Sequence, residues 1–201
     1  MIISVTPYET TLDAIEKRLT EMGKADSMNS VLKKAINEVA GIGKRQIWKG
    51  VRSGYTLKGF TAGDVKKRSR NTGGYPSVTL TVKGAPLEAK YYEHRNNDAE
   101  HGAMVRILKS SAMKELEIRS GNRVYKAFLA RMKSGHEGIF QRMPGKMMKG
   151  SNREAIKEIM SLSKAKAAEM VYEKGGLYTE LQEELVLRLH KHMNAVIGGQ
   201  R

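Results

Sequence analysis

Cysteine is absent from the 201-residue chain, which excludes disulfides, thiolate nucleophiles and Cys-ligated zinc. Aromatic residues make up only 6% of the chain, with Trp48 the single tryptophan, so the base-stacking platforms of single-strand nucleic-acid binders are poorly supplied. No apolar run approaches the ~20 residues that a bilayer-spanning helix needs. The N-terminus, "MIISVTPYETTLDAIEKRL", has acids where a secretory signal has a basic region followed by an apolar stretch, so no signal peptide is expected. Together these absences point to a protein made and kept in the cytosol, or in something assembled there, with no membrane partner.

Positive charge is what the chain has in excess. Its 36 Lys and Arg against 21 Asp and Glu give a formal net charge of +15 and a pI near 9.9. Such a field attracts DNA, RNA, anionic membrane or acidic protein, and is silent about fold. Nine cations, Lys44, Arg45, Lys49, Arg52, Lys58, Lys66, Lys67, Arg68 and Arg70, lie between Gly41 and Gly73, where Asp64 is the only acid. The segment reads in two ways, which the sequence leaves open. It could bind phosphate by charge alone, without a recognition helix or zinc finger, or it could be a solvated face that docks on an acidic partner.

The length suits one domain with a real core, and residues 1–201 are expected to fold as one. Leu12, Ile15 and Leu19 recur at helical spacing, which predicts a short amphipathic helix in a 1–26 N-terminal arm. Met28, Val31, Leu32, Ala35, Ile36 and Val39 form a longer stripe, with Gly41 and Gly43 each costing roughly 1 kcal/mol relative to Ala. Residues 41–75 lose periodicity and read as a basic extended loop, with a helical turn near Thr61 to Arg68. "SVTLTV" then alternates, placing Val78, Leu80 and Val82 on one side and Thr79 and Thr81 on the other. "AMVRILK", "FLARM" and "GIFQRM" read as further strands of one small antiparallel sheet. Leu177, Leu181, Leu185, Leu189, Met193 and Ile197 fall at four-residue steps over a 177–197 C-terminal helix. The order of N-terminal helices, strands and long C-terminal helix gives the class α+β.

Little here suggests catalysis. His190 and His192 are two apart on a helix and face different ways, unlike a metal pair. His136-Glu137 lacks the second His of a zinc-protease helix, and no Gly loop leads into Lys-Ser/Thr. Glu93-His94 reads as a solvated polar pair, and Asp98, Glu100, Glu115 and Glu117 are too scattered for a nuclease metal site. The chain reads as a non-enzyme without cofactor or metal.

Three stretches carry a resemblance: "VLKKAINEVAGIGKRQIWKGVRSGYTLK", "SVTLTVKGAPLEAKYYE" and "KAFLARMKSGHEGIFQRMPGK". Over residues 27–197 the chain resembles the minor tail protein Z family of tailed bacteriophages and prophages. The most specific piece is a near-complete signature of Ala127, Phe128, Met132, Lys133, Ser134, Gly135, His136, Gly138, Phe140 and Arg142. The chain departs from the family pattern at Tyr91-Tyr92, which stands where a Phe is usual, and at "REAIKEIMSLS", which only partly matches the element that follows the Arg.

The resemblance implies a virion protein of the tail or neck, a tail-completion protein assembled in the host cytoplasm. It implies a hexameric ring that caps the tail tube, with tube or terminator protein, head-tail connector and the end of the packaged DNA as partners. The signature would be a β-hairpin, with Ser134-Gly135 in the turn and Gly138 at a bulge or close approach. Most cations would face outward or towards subunit interfaces, since exposed cations lining a bore would hold passing DNA. A tail terminator or head-tail adaptor of related fold, or a free-standing basic nucleic-acid-binding protein, are the alternatives.

Overall fold

In the computed structural model, which describes residues 1–72, 75–98 and 100–198, the architecture is α+β, with four α-helices and several small antiparallel sheets. The described residues divide into two compact units where the sequence suggested one domain: residues 1–50, 61–83 and 168 onward form the first, residues 51–60 and 84–167 the second.

The first unit is built on the alternating segment. Strands β1 (Ile2–Val5), β2 (Val65–Thr72) and β3 (Tyr75–Val82) form an antiparallel sheet in the order β1-β3-β2. Ile3, Val5, Val65, Val78, Leu80 and Val82 are buried on one face, as a period of two requires of a half-covered sheet. Helix α1 (Glu9–Glu21) buries Ile15 and Leu19, so residues 1–26 hold a sheet strand and a packed helix in place of a free arm. The apolar stripe of α2 (Met28–Gly54) is buried from Met28 to Val39 as its spacing predicts. Helices α3 (Lys164–Lys174) and α4 (Leu177–Gly198) follow. The leucine stripe of α4 closes on the chain's own core, with Leu177, Leu181, Leu185, Leu189 and Met193 buried.

The glycines of α2 are explained by packing. A Cβ on Gly43 would lie 3.0 Å from Leu181 Cδ1 and 3.2 Å from Leu80 Cδ1, and one on Gly50 would lie 2.5 Å from Val171 Cγ1. The helix tolerates their poor propensity because close approach of its neighbours needs the missing side chain. Across α2, Glu38 Oε2 accepts from Arg188 Nη1 at 3.2 Å and Glu38 Oε1 contacts His192 Nε2 at 3.1 Å, tying α4 to it.

The expected loop over residues 41–75 is largely ordered structure. Residues 41–54 complete α2, a short 3₁₀ turn spans Ala62–Asp64, and 65–72 form β2. The sequence misled because Lys66, Lys67, Arg68, Ser69 and Arg70 leave β2 without an apolar alternation, although pairing with β3 still fixes its register from Val65↔Val82 to Thr72↔Tyr75.

The second unit holds four small sheets where one was expected. Strands β4 (Leu87–Glu88) and β13 (Met160–Ser161) pair; β5 (Glu93–Arg95), β6 (Met104–Arg106) and β7 (Lys114–Glu115) form a second sheet. Strands β8 (Glu117–Ser120) and β9 (Arg123–Lys126) make a hairpin, while β10 (Phe128–Arg131), β11 (Glu137–Met147) and β12 (Glu154–Glu158) form a sheet in the order β10-β11-β12. Tyr92 is fully buried among them, its hydroxyl donating to Leu162 O at 2.9 Å. Burial pushes the Tyr92 phenol up to about 12.

Candidate interaction surfaces

The signature segment forms one hairpin. β10 and β11 pair antiparallel with Phe128 opposite Phe140 and Ala130 opposite Gly138. The Met132 and Gly135 backbone N–H groups donate to His136 O at 2.7 Å and Met132 O at 2.9 Å, closing a short loop over Lys133, Ser134 and Gly135. Gly135 sits at φ +84°, which a side chain would strain. Phe128 and Phe140 meet across the strands as a tilted pair with centroids 6.3 Å apart, and the Arg142 guanidinium lies 5.7 Å from the Phe128 ring centre. Met132 is half-buried, whereas Arg131, Lys133, Ser134, Glu137 and Arg142 are exposed.

A polar clasp braces the hairpin from β12 and β4. His136 Nε2 lies 2.9 Å from Glu158 Oε1, and a Cβ on Gly138 would overlap that same oxygen. Gly138 therefore serves a close approach, here by a carboxylate. Lys90 pairs with Glu88 and donates to Glu137 O; the Glu88 carboxylate holds the Lys90 ammonium above the usual lysine range. Glu88, His136 and Glu158 bring three potential ligand atoms within 4.8 Å of one another, the single such grouping among the described residues. The Lys90 ammonium and the His136–Glu158 contact already occupy these atoms, so the arrangement works as it stands as a brace. No sequence signal could have found Glu88, Lys90 or Glu158, because the pairing of distant strands brings them to the hairpin.

The second surface is the outer face of sheet β1-β3-β2. Lys66, Arg68 and Arg70 alternate along β2, opposite Thr81, Thr79 and Ser77 of β3, with Ile2 and Ser4 of β1 beyond. With Lys83 they line a groove of about 450 Å³ that contains no acid. The four cations are exposed and carry no ion pair among the described residues.

Of the nine cations picked from sequence, β2 thus brings three together. Lys67 points to the other face, where its ammonium is 3.4 Å from Asn37 O and Oδ1. Lys44, Arg45, Lys49 and Arg52 lie on α2, the last three at spacings of four and three along one exposed side. Lys58 is exposed in the second unit, its backbone N–H donating to Tyr91 O at 2.8 Å. Lys83 was missed, although it continues the outward phase of Thr79 and Thr81.

Other polar groupings are local. Glu93 pairs with Arg106, and His94 Nδ1 contacts Tyr92 O at 3.0 Å. The His101 and Glu100 N–H groups hold the Asp98 carboxyl below the usual range, as the Gly102 N–H does for Glu115. No protein-family model, curated protein or solved structure matches the chain.

Proposed function

We propose that the chain is a structural tail-completion protein of a phage or phage-derived particle. Copies form a ring that caps the head-proximal end of the tail tube and offers a new surface to the head connector. The observation that carries this reading is the use the fold makes of the family-like signature. Gly135 takes the turn, Gly138 admits Glu158, Phe128 and Phe140 form the cross-strand pair, and Arg131, Lys133 and Arg142 are left at the surface.

Such a protein works by geometry, so its residues need only present complementary patches. A heterologous contact that closes into a ring requires two different patches on each copy. The braced hairpin, with its exposed and mostly cationic rim, is one such patch.

The test is deletion of the coding sequence from a phage or prophage that carries it, followed by negative-stain microscopy of the particles. Full heads beside unjoined or overlong tails are expected. Normally joined particles with tails of normal length would reject the reading.

A further inference from the structure

We propose that the outer face of sheet β1-β3-β2 is a binding site for the phosphate backbone of double-stranded DNA. The sheet's charge and shape support this site whether or not the chain belongs to a tail.

Charge points to a polyanion. Lys66, Arg68, Arg70 and Lys83 share one face with no acid among the groove residues, and no ion pair among the described residues neutralises them. Four like charges gathered on one face repel one another, a cost that a polyanion relieves.

Spacing points to a regular array. Alternate residues of a strand recur at about 6.8 Å, so Lys66 to Arg70 covers about 14 Å. Over that length of axis a duplex presents about eight phosphates, roughly four on each strand. The three cations of that row, with Lys83 beside them on the same face, can therefore each meet a phosphate of one backbone. Thr79 and Thr81 stand between the cations and the β1 edge, where hydroxyls can donate to further phosphate oxygens.

What the face lacks decides between polyanions. Its groove residues include no aromatic side chain, whereas single-stranded nucleic acid is held largely by stacking. Ile2 is the only large apolar residue of that groove, with Tyr75 farther along β3 in the same outward phase, whereas protein interfaces gain most of their energy from a buried apolar or aromatic centre. No recognition element is on the face, so binding is to backbone and independent of sequence.

The experiment measures fluorescence anisotropy of the full chain with a labelled 20-base-pair duplex between 50 and 200 mM salt. Two triple variants are compared, both checked for native circular dichroism: Lys66→Gln/Arg68→Gln/Arg70→Gln, and Lys34→Gln/Arg45→Gln/Lys49→Gln on the exposed side of α2. They remove the same charge from different places. Four phosphate contacts give a log–log slope of about −3.6, an affinity loss of about 150-fold across that range. The β2 triple should flatten this to about 3-fold, while the α2 triple should stay within one contact of the parent. Equal losses from both triples, or no loss from the β2 triple, would overturn the site. A single strand or polyglutamate binding as tightly as the duplex would overturn the choice of ligand. None of these outcomes bears on the particle phenotype, so the two proposals fail separately.

Discussion

Replacing Gly138 by Ala should destabilise the hairpin, and removing Glu158 should abolish that cost or turn it into a small gain. A Cβ at position 138 overlaps Glu158 Oε1, lies 3.0 Å from Glu158 Cδ and 3.2 Å from Phe140 Cζ. The carboxylate must swing away and so loses its 2.9 Å contact with His136 Nε2. A hydrogen bond to a charged group is worth about 1.5–3 kcal/mol. Because the His136 side chain is 39% exposed, the low end applies, about 1.5 kcal/mol. Against this, Ala in place of Gly in a strand gains about 0.5–1 kcal/mol. Gly138→Ala should therefore cost a net ~0.5–1 kcal/mol. In a Glu158→Ala background only the backbone gain and a small adjustment of Phe140 remain, so the substitution should be neutral or stabilising by about 0.5 kcal/mol. Native-state hydrogen exchange at the β10 and β11 amides reads the hairpin locally and avoids assuming one cooperative transition for a chain of two units. An equal cost in both backgrounds would refute the claim that Glu158 occupies the glycine's space.

Two further outcomes follow from burial. Leu185→Ala, in the middle of the α4 stripe and 1% exposed, should cost about 2–5 kcal/mol, read by native-state hydrogen exchange at the α2 and α4 amides; a loss under about 1 kcal/mol would place the stripe outside the core. Tyr92 holds its proton to about pH 12 when folded but to about pH 10 when unfolded. Its contribution is whole below pH 10 and is lost as pH rises to about 12, where folding has cost the unfolded chain's ionisation, on the order of 3 kcal/mol. Tyr92→Phe should remove that alkaline decline while losing roughly 1 kcal/mol for the bond to Leu162 O at neutral pH; parallel pH curves for parent and variant would contradict the burial argument.

The parts of the fold legible in the sequence were those with a clean hydrophobic period. The stripes of α2 and α4 and the alternation of β3 are buried where their spacing puts them. The hairpin was legible because Ser134-Gly135 sits between the apolar stretches Phe128-Leu129-Ala130 and Ile139-Phe140. Strand β2 was not, because its register comes from β3 and its side chains face solvent on one side and Asn37 on the other. The basic face was half legible: Lys66, Arg68 and Arg70 were named, but in a list of nine that the structure disperses over a helix, a loop and both faces of a sheet. Lys83 needed only the strand phase. In the clasp, His136 meets Glu158 across 22 positions of chain and Glu88 approaches Glu158 across 70, which no local pattern encodes.

In the order β1-β3-β2, strand β2 has a single partner among the described residues, and its eight residues end the sheet. An open edge of that length is a template for another copy's strand, and edge lysines and arginines are a common guard against such pairing. The charge of Lys66, Arg68 and Arg70 thus governs colloidal behaviour as well as ligand choice. Screening it at 1 M salt, where the Debye length falls to about 3 Å, or covering it with a polyanion, lifts the guard and lets sheets of neighbouring copies join edge to edge.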